Sequence, residues 1–485
     1  MSSSHPDRFE ALQQRLAALG SRALSDLDRG CIVVLPSLTF PVEELRKIIG
    51  ISRYEERLLC LVLLLDQPEL EVVFVTSLPV DPVVVDYYLS FLRDPAGGRR
   101  RLTMVSLDDP DPRPLSEKLL QQPAAMDRLR AAIDRKDAYL LPFTVTAAER
   151  AIATEIGTPL YGARPGLAYA GSKSGSRHVA REAGVEVLPG SEDLHSVEAL
   201  NAAIELLRHD HADVTEVVIK LNYGFSGQGN VVVNLADWNG SVLYAPTAFC
   251  AGEESWDSFI PKIERDGGIV EEMVRDDTMH SPSVQLRVGV DGSVEIVSTH
   301  DQVLGGPDDQ VYLGCRFPAQ ASYRAEIQQA GERIAKILAA KGVVGSFGID
   351  LLVRRGDRDL DVYLSEINLR LGGTSHPFYM ARFATGGTYD AATGELLVDG
   401  SPRAYVATDN LKSEAYKGLP AARLLEELRA RELAFDPSSR TGVTLHLLGT
   451  LSEHGKLGAT CIALSIAAAD DLYADLVATL DELTS

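Results

Sequence analysis

Leu364-Ser365-Glu366-Ile367-Asn368-Leu369-Arg370-Leu371-Gly372-Gly373 is the stretch that decides how this chain reads. In a strand, residues two apart share a face, so Glu366, Asn368 and Arg370 point one way and Ile367 and Leu369 the other. Three polar groups on one face are out of place in an apolar core. A carboxylate and an amide carbonyl are oxygen donors of the kind Mg²⁺ takes when it is held together with nucleotide phosphates. An arginine one step further along grips a phosphate or carboxylate with two parallel hydrogen bonds. Upstream, Gly348-Ile349-Asp350-Leu351-Leu352 sets a lone carboxylate in an apolar strand, where an unpaired charge is costly. A metal shared with Glu366 removes that cost. The plainer alternative is a solvated edge strand with an unrelated aspartate.

Three further segments belong with this one. In Val218-Ile219-Lys220-Leu221-Asn222-Tyr223-Gly224-Phe225-Ser226-Gly227-Gln228-Gly229 a lysine ends an apolar strand and a glycine-rich turn follows. Glycines let backbone N–H groups approach a phosphate closely. The lysine precedes the glycines and no helix follows, so this is no Walker loop; the order suits a hairpin flap over a triphosphate, or simply a hairpin turn. Gly268-Ile269-Val270-Glu271-Glu272-Met273-Val274-Arg275-Asp276-Asp277 is a strand running into acidic residues. It fits a hinge that reads adenine through its backbone and ribose through a carboxylate, or any strand with a charged end. Lys173, in Ser172-Lys173-Ser174-Gly175, opens a helix from which it reaches phosphates, or else solvent.

Outward from these segments the chain divides. Cys31–Leu35 and Glu71–Thr76 read as strands alternating with helices around 53–66 and 83–92, a small parallel α/β domain without a GxGxxG. Residues 162–171, rich in Gly and Pro, read as a linker. Beyond them come helices near 173–184, 254–265 and 320–341, and strands at 216–221, 231–234, 268–274, 284–290, 294–299, 348–353 and 361–367. A third piece holds a strand near Tyr405, a helix over 421–431, strands at 441–448 and 460–466, and a last helix. The expected domains are 1–160, 161–400 and 401–485.

Composition narrows the function. The 485 residues carry 47 Lys and Arg against 69 Asp and Glu, a net charge of −22. Such a surface repels nucleic acid and anionic lipid, and Arg99-Arg100-Arg101 is too short a basic run to offset it. Five dispersed cysteines lack CxxC spacing and suit reduced thiols. The longest apolar run, Leu58 to Leu65, is too short to span a bilayer, and the N-terminus has no signal-peptide pattern, so a cytoplasmic protein is expected.

Taken in order, the helix-start lysine, the strand lysine before a glycine flap, the Val-Glu-Glu hinge, the strand acid and Glu-x-Asn-x-Arg resemble the ATP-grasp superfamily over 162–384. Within it, Arg53-Tyr54-Glu55-Glu56-Arg57, Thr76-Ser77-Leu78-Pro79-Val80, Thr299-His300-Asp301-Gln302-Val303-Leu304 and Tyr312-Leu313-Gly314-Cys315-Arg316-Phe317-Pro318 look like the pheganomycin-type peptide ligases. The resemblance implies a Rossmann-like pre-ATP-grasp domain, an ATP-grasp fold and a small α+β C-terminal domain. It implies that Lys173 and Lys220 bind α/β-phosphates under a flap of Gly224, Ser226, Gly227 and Gly229. Glu271, Glu272, Met273 and Val274 would line the adenine pocket, with Asp276 or Asp277 at the ribose. Asp350, where many relatives carry Glu, joins Glu366 and Asn368 around Mg²⁺. Arg370, Lys220 and Arg287 form the implied catalytic set.

The activity implied is ATP-dependent joining of a small carboxylic acid to an amine or peptide through an acyl phosphate, with no nucleic-acid or membrane partner and with room for a homodimer. His300 and Arg316 are candidates for substrate contact, His300 with a structural role as the alternative. An ATP-grasp kinase and a non-catalytic ATP-binding module are the rival readings.

Overall fold

A computed structural model describes residues 8–133, 137–224, 229–276, 278–305, 311–355 and 360–485, and strand counts below refer to these. The first domain is built on four parallel strands, β1 (Arg29–Leu35), β2 (Glu69–Thr76), β3 (Leu102–Ser106) and β4 (Ala138–Pro142), in the order β3-β2-β1-β4. Cys31, Ile32, Val33, Val34 and Leu35 are all fully buried, as expected of a parallel strand covered on both faces. The helical segment Ile51–Asp66 is held by i→i+3 bonds and buried from Tyr54 to Leu65, charged residues included. That burial matters below.

A second sheet joins β6 (Gly190–Leu194), β7 (Glu216–Leu221), β8 (Asn230–Asn234), β9 (Thr247–Phe249) and β10 (Gly268–Glu272) in the order β6-β10-β7-β8-β9. The third sheet has eleven strands. Its spine runs β16 (Thr388–Asp390), β17 (Glu395–Val398), β18 (Ser401–Lys412), β13 (Val311–Phe317), β12 (Val294–Gly305), β11 (Pro282–Val288), β14 (Gly345–Arg355), β15 (Leu360–Asn368) and β5 (Glu186–Val187). Two more strands, β20 (Lys456–Ala463) and β19 (Gly442–His446), are added through β18. The C-terminal part of the chain, from β16 onward, therefore continues the central sheet. It also shares the largest apolar core with the first domain, where Leu58, Phe74 and Tyr88 pack in one cluster with Leu445, Leu457 and Leu476. Tyr88 Oη donates to the Leu445 carbonyl at 3.2 Å, and Leu445 N–H donates to Tyr87 Oη at 2.9 Å.

Most expected elements occur, with shifted ends. The hinge strand stops at Glu272, the strand expected at 294–299 runs on to Gly305, and the strand near Tyr405 spans twelve residues. The extensions follow from cross-strand pairing: Asp301 to Gly305 find partners in β13 that local sequence does not announce.

Candidate active site

One cavity of about 950 Å³ lies between the second and third sheets and is walled by the first domain. The helix Lys173–Glu182 begins at it. Ser172 caps that helix by accepting the Gly175 N–H at 3.0 Å. Gly175 has no room for a side chain, since a Cβ there would stand 1.8 Å from the Tyr169 carbonyl oxygen. Asn222, just past β7, accepts from Ser174 N–H at 2.9 Å through its side chain and from Lys173 N–H at 3.1 Å through its carbonyl. This clasp brings the helix start against the end of β7, so Lys173 and Lys220 meet in the cavity.

On β14 and β15, Asp350 and Glu366 stand directly opposite each other. Like charges in that position repel unless a cation or donor intervenes. Asn368 Nδ2 donates to Asp350 Oδ2 at 3.0 Å and to Glu366 Oε1 at 2.9 Å, and Lys173 Nζ pairs with Glu366 Oε2. Turning the Asn368 amide, whose two ends are assigned from hydrogen bonding, would point its oxygen at the same spot. Two carboxylates and an amide converging on one point are a hard oxygen donor set that fits Mg²⁺ beside phosphates. The register shifts between Asp350 and Leu351, so Ser365 is an extra residue in β15. It is why Leu364 and Ile367, three apart, both face the core. The alternation read from sequence holds from Glu366 onward, and Glu366, Asn368 and Arg370 all line the cavity.

Burial and crowding set the electrostatics. Burial pushes the Asp350 carboxyl up to about 6, against the pull of Lys173 and Arg370. Burial, with Lys220 and Arg370 nearby, lowers the Lys173 ammonium to about 7, and burial lowers Arg370 to about 10. Each cation is destabilised until anionic charge enters, which favours binding of a polyphosphate.

Glu271 lines the cavity but is not free to read a ligand. Its Oε1 lies 2.6 Å from Lys220 Nζ and its Oε2 lies 2.8 Å from Arg177 Nη1. Glu272, Met273, Val274 and Asp276 line the same wall with the apolar side chains of Leu188, Val218 and Leu352. Asp276 is tied to Thr278, accepting from its N–H at 2.8 Å and its hydroxyl at 2.7 Å. Gly224 lines the cavity, and Gly229 accepts from Leu221 N–H at 2.9 Å at the base of the same turn. Ser226, Gly227 and Asp277 lie outside the described residues.

Arg287 does not join the site, which corrects the catalytic set. It shares a face with Gln285, which does line the cavity, but sits two residues, about 7 Å, further along β11. There its Nη1 donates to the Ser21 carbonyl at 2.5 Å and its Nη2 pairs with Glu295. His300 is buried, bonded to Tyr405 Oη at 2.7 Å, and lowered by burial to about 3, a structural imidazole. Arg316 pairs with Asp470 at 3.0 Å and is not among the lining residues.

Sequence reading missed the wall opposite the hinge: Tyr54, Arg57, Asp409, Lys412 and Lys456. A signal was present, since Glu55-Glu56-Arg57 interrupts a helix otherwise buried and apolar.

Three family models match the chain: "Pre ATP-grasp domain" over residues 56–158, "IQCH-like, ATP-grasp" over 167–241 and 243–392, and "PGM1 C-terminal domain" over 423–476. Over 428 residues the chain is 34% identical to L-propargylglycine--L-glutamate ligase of Streptantibioticus cattleyicolor, covering 86% of each protein. It is 23% identical over 324 residues to IQ motif-containing protein H of Danio rerio, covering 59% of this chain and 30% of that protein. Among solved structures, a biotin carboxylase–β,γ-ATP complex from Campylobacter jejuni superposes with a TM-score of 0.55 at 16% identity, covering 91% of this chain and 89% of that one. An ADP complex of N5-carboxyaminoimidazole ribonucleotide synthetase superposes with a TM-score of 0.53 at 12% identity, covering 94% and 97%. At those identities the likeness speaks for the fold.

Proposed function

The chain belongs to the ATP-grasp family, and from that membership we propose that it is an ATP-dependent ligase joining the carboxylate of one amino acid to the amine of another amino acid or peptide. The observation that carries this reading is the convergence of Asp350, Glu366 and Asn368 with Lys173, Lys220 and Arg370 in one cavity. At about 950 Å³ it has room for a nucleotide and a second substrate. The relative that is a ligase of two amino acids supports the substrate class.

Lys173 and Lys220 hold the nucleotide phosphates, and Glu271 fixes Lys220 where it can do so. Asp350, Glu366 and Asn368 would hold Mg²⁺, which supplies charge neutralisation on the transferring phosphoryl group. A substrate carboxylate oxygen bonds to the γ-phosphorus and the bond to the β,γ-bridging oxygen breaks, giving an acyl phosphate and ADP. Arg370 lies beside these groups and stabilises charge as it shifts between oxygens. The amine then bonds to the acyl carbon, phosphate leaves, and the nitrogen sheds a proton to become the amide. The chamber must exclude water from the acyl phosphate, and Leu304, Val311 and Tyr312 of the β12–β13 hairpin wall it on one side. The five cysteines are all buried thiols, and among the described residues no helix is long and apolar enough to cross a membrane.

Hydroxylamine tests this reading. Offered with the acid substrate and Mg-ATP, it should give a hydroxamate with ADP and phosphate. A stable phosphate ester would mean a kinase, and AMP with pyrophosphate would overturn the acyl-phosphate route.

A further inference from the structure

Arg57, only 3% exposed, lies on the cavity wall formed by the first domain, β18 and β20. Its Nη1 donates to Asp409 Oδ2 at 3.2 Å. Its Nε and Nη2 are buried and have no hydrogen-bond partner among the described residues. Those two N–H groups form the side-on edge of the guanidinium, the edge that takes both oxygens of a carboxylate in plane. The guanidinium carbon lies 4.1 Å from the Tyr54 ring centroid and 4.9 Å from that of Phe143, so aromatic surface rather than further polar partners lies beside it. Lys456, 4% exposed, lies 5.1 Å from the Tyr54 ring centroid and makes no salt bridge among the described residues. It too lines the cavity.

Asp409 cannot satisfy both cations. Its Oδ1 is already taken by His446 Nε2 at 2.7 Å and His376 Nε2 at 2.9 Å. Gly458 presses on the His446 ring so closely that a Cβ there would stand 2.0 Å from Nε2. The imidazole pair thus fixes Asp409, and Asp409 fixes Arg57. Arg57 and Lys456 face one carboxylate, and two buried donors of Arg57 stay unpaired among the described residues, an arrangement that costs free energy until an anion arrives. Arg57 and Arg370 line the same cavity, and the charge of one is felt at the other.

We infer that the Nε–Nη2 edge of Arg57 and the ammonium of Lys456 form a carboxylate-binding subsite, anchoring an amino-acid or peptide substrate by a carboxylate that does not react. The inference rests on the ligase reading above and adds the substrate class: one partner must keep a free carboxylate, either an α-carboxylate or that of a side chain. Asp409, His376 and His446 are positioning residues.

Calorimetric titration in the presence of Mg-ADP tests it, with L-glutamate, L-glutamine, L-isoglutamine, L-alanine and L-alaninamide as probes. At least one acid should bind about 10- to 100-fold more tightly than its amide. Loss of affinity in isoglutamine assigns the α-carboxylate, and loss in glutamine assigns the side chain. Arg57→Lys keeps the charge but loses the fork, and Lys456→Met loses the ammonium. In each the acid-to-amide ratio should fall towards one while Mg-ADP binding persists. A structural role alone would weaken acid and amide together. Equal binding of acids and amides, no binding of any probe, or a ratio surviving both substitutions overturns the subsite. Failure of the wild-type protein to bind Mg-ADP would instead refute the nucleotide reading.

Discussion

Arg177 and Lys220 share one carboxylate: Glu271 gives Oε2 to the fully buried Arg177 guanidinium at 2.8 Å and Oε1 to Lys220 at 2.6 Å. Glu271 is therefore the electrostatic joint between the helix Lys173–Glu182 and β7, which carries Lys220, the lysine proposed to bind phosphate. Glu271→Gln should cost about 3–5 kcal/mol, because Arg177 is left buried with only Glu192 as an ionic partner. Urea denaturation measures this, and Mg-ATP affinity should fall with it. A loss under about 1 kcal/mol would mean that Glu192 suffices.

Glu366→Gln and Asn368→Ala should each lower turnover by more than about a hundredfold while the thermal midpoint stays within a few degrees. Both side chains face the cavity, so removing a proposed oxygen ligand alters no core packing. ADP release and a circular-dichroism melt give the two readouts. Near-normal turnover in both would show that Glu366 and Asn368 hold no metal that turnover needs.

Arg370→Ala should suppress hydroxamate formation far more than nucleotide binding, since its contact strengthens as charge moves in the transfer. Single-turnover kinetics beside an ADP titration separate the two. Equal losses in both would place Arg370 in nucleotide binding alone.

Affinity for the anchoring carboxylate should decline as pH rises past about 8. Burial lowers the Lys456 ammonium to about 8; Asp409 raises it, and Arg57 and Lys412 lower it further. A lysine depressed in this way is charged below that pH and neutral above it, so binding is full at pH 7 and weakens by up to about tenfold per unit above 8. Titrations at pH 7 and 9.5 check this, and Lys456→Met should flatten the profile. A flat wild-type profile would remove Lys456 from the subsite.

Tyr87→Phe should destabilise the chain by about 1–3 kcal/mol, because the Leu445 N–H loses its acceptor in a buried environment. One cooperative transition should shift as a whole, since the first domain and the C-terminal part share a core. A separate transition for residues 401–485 would count against that unity.

The sequence by itself determined the order of the chemical elements. Lysine, glycine turn, hinge and Glu-x-Asn-x-Arg are each carried by adjacent residues, and period-two alternation placed Glu366, Asn368 and Arg370 on one face. Even the extra residue at Ser365 is written locally, in apolar positions that move from 360, 362 and 364 to 367 and 369. Tertiary structure alone decided what those groups touch. Arg287 carries the same chemistry as Arg370, yet lies one pleat too far along its strand and spends its charge on Glu295. Arg57, Asp409 and Lys456 belong to three elements far apart in the chain, so no spacing could announce them. They meet because the first domain and the C-terminal part bury one core together, and a charge there is set by its neighbours in space rather than in sequence.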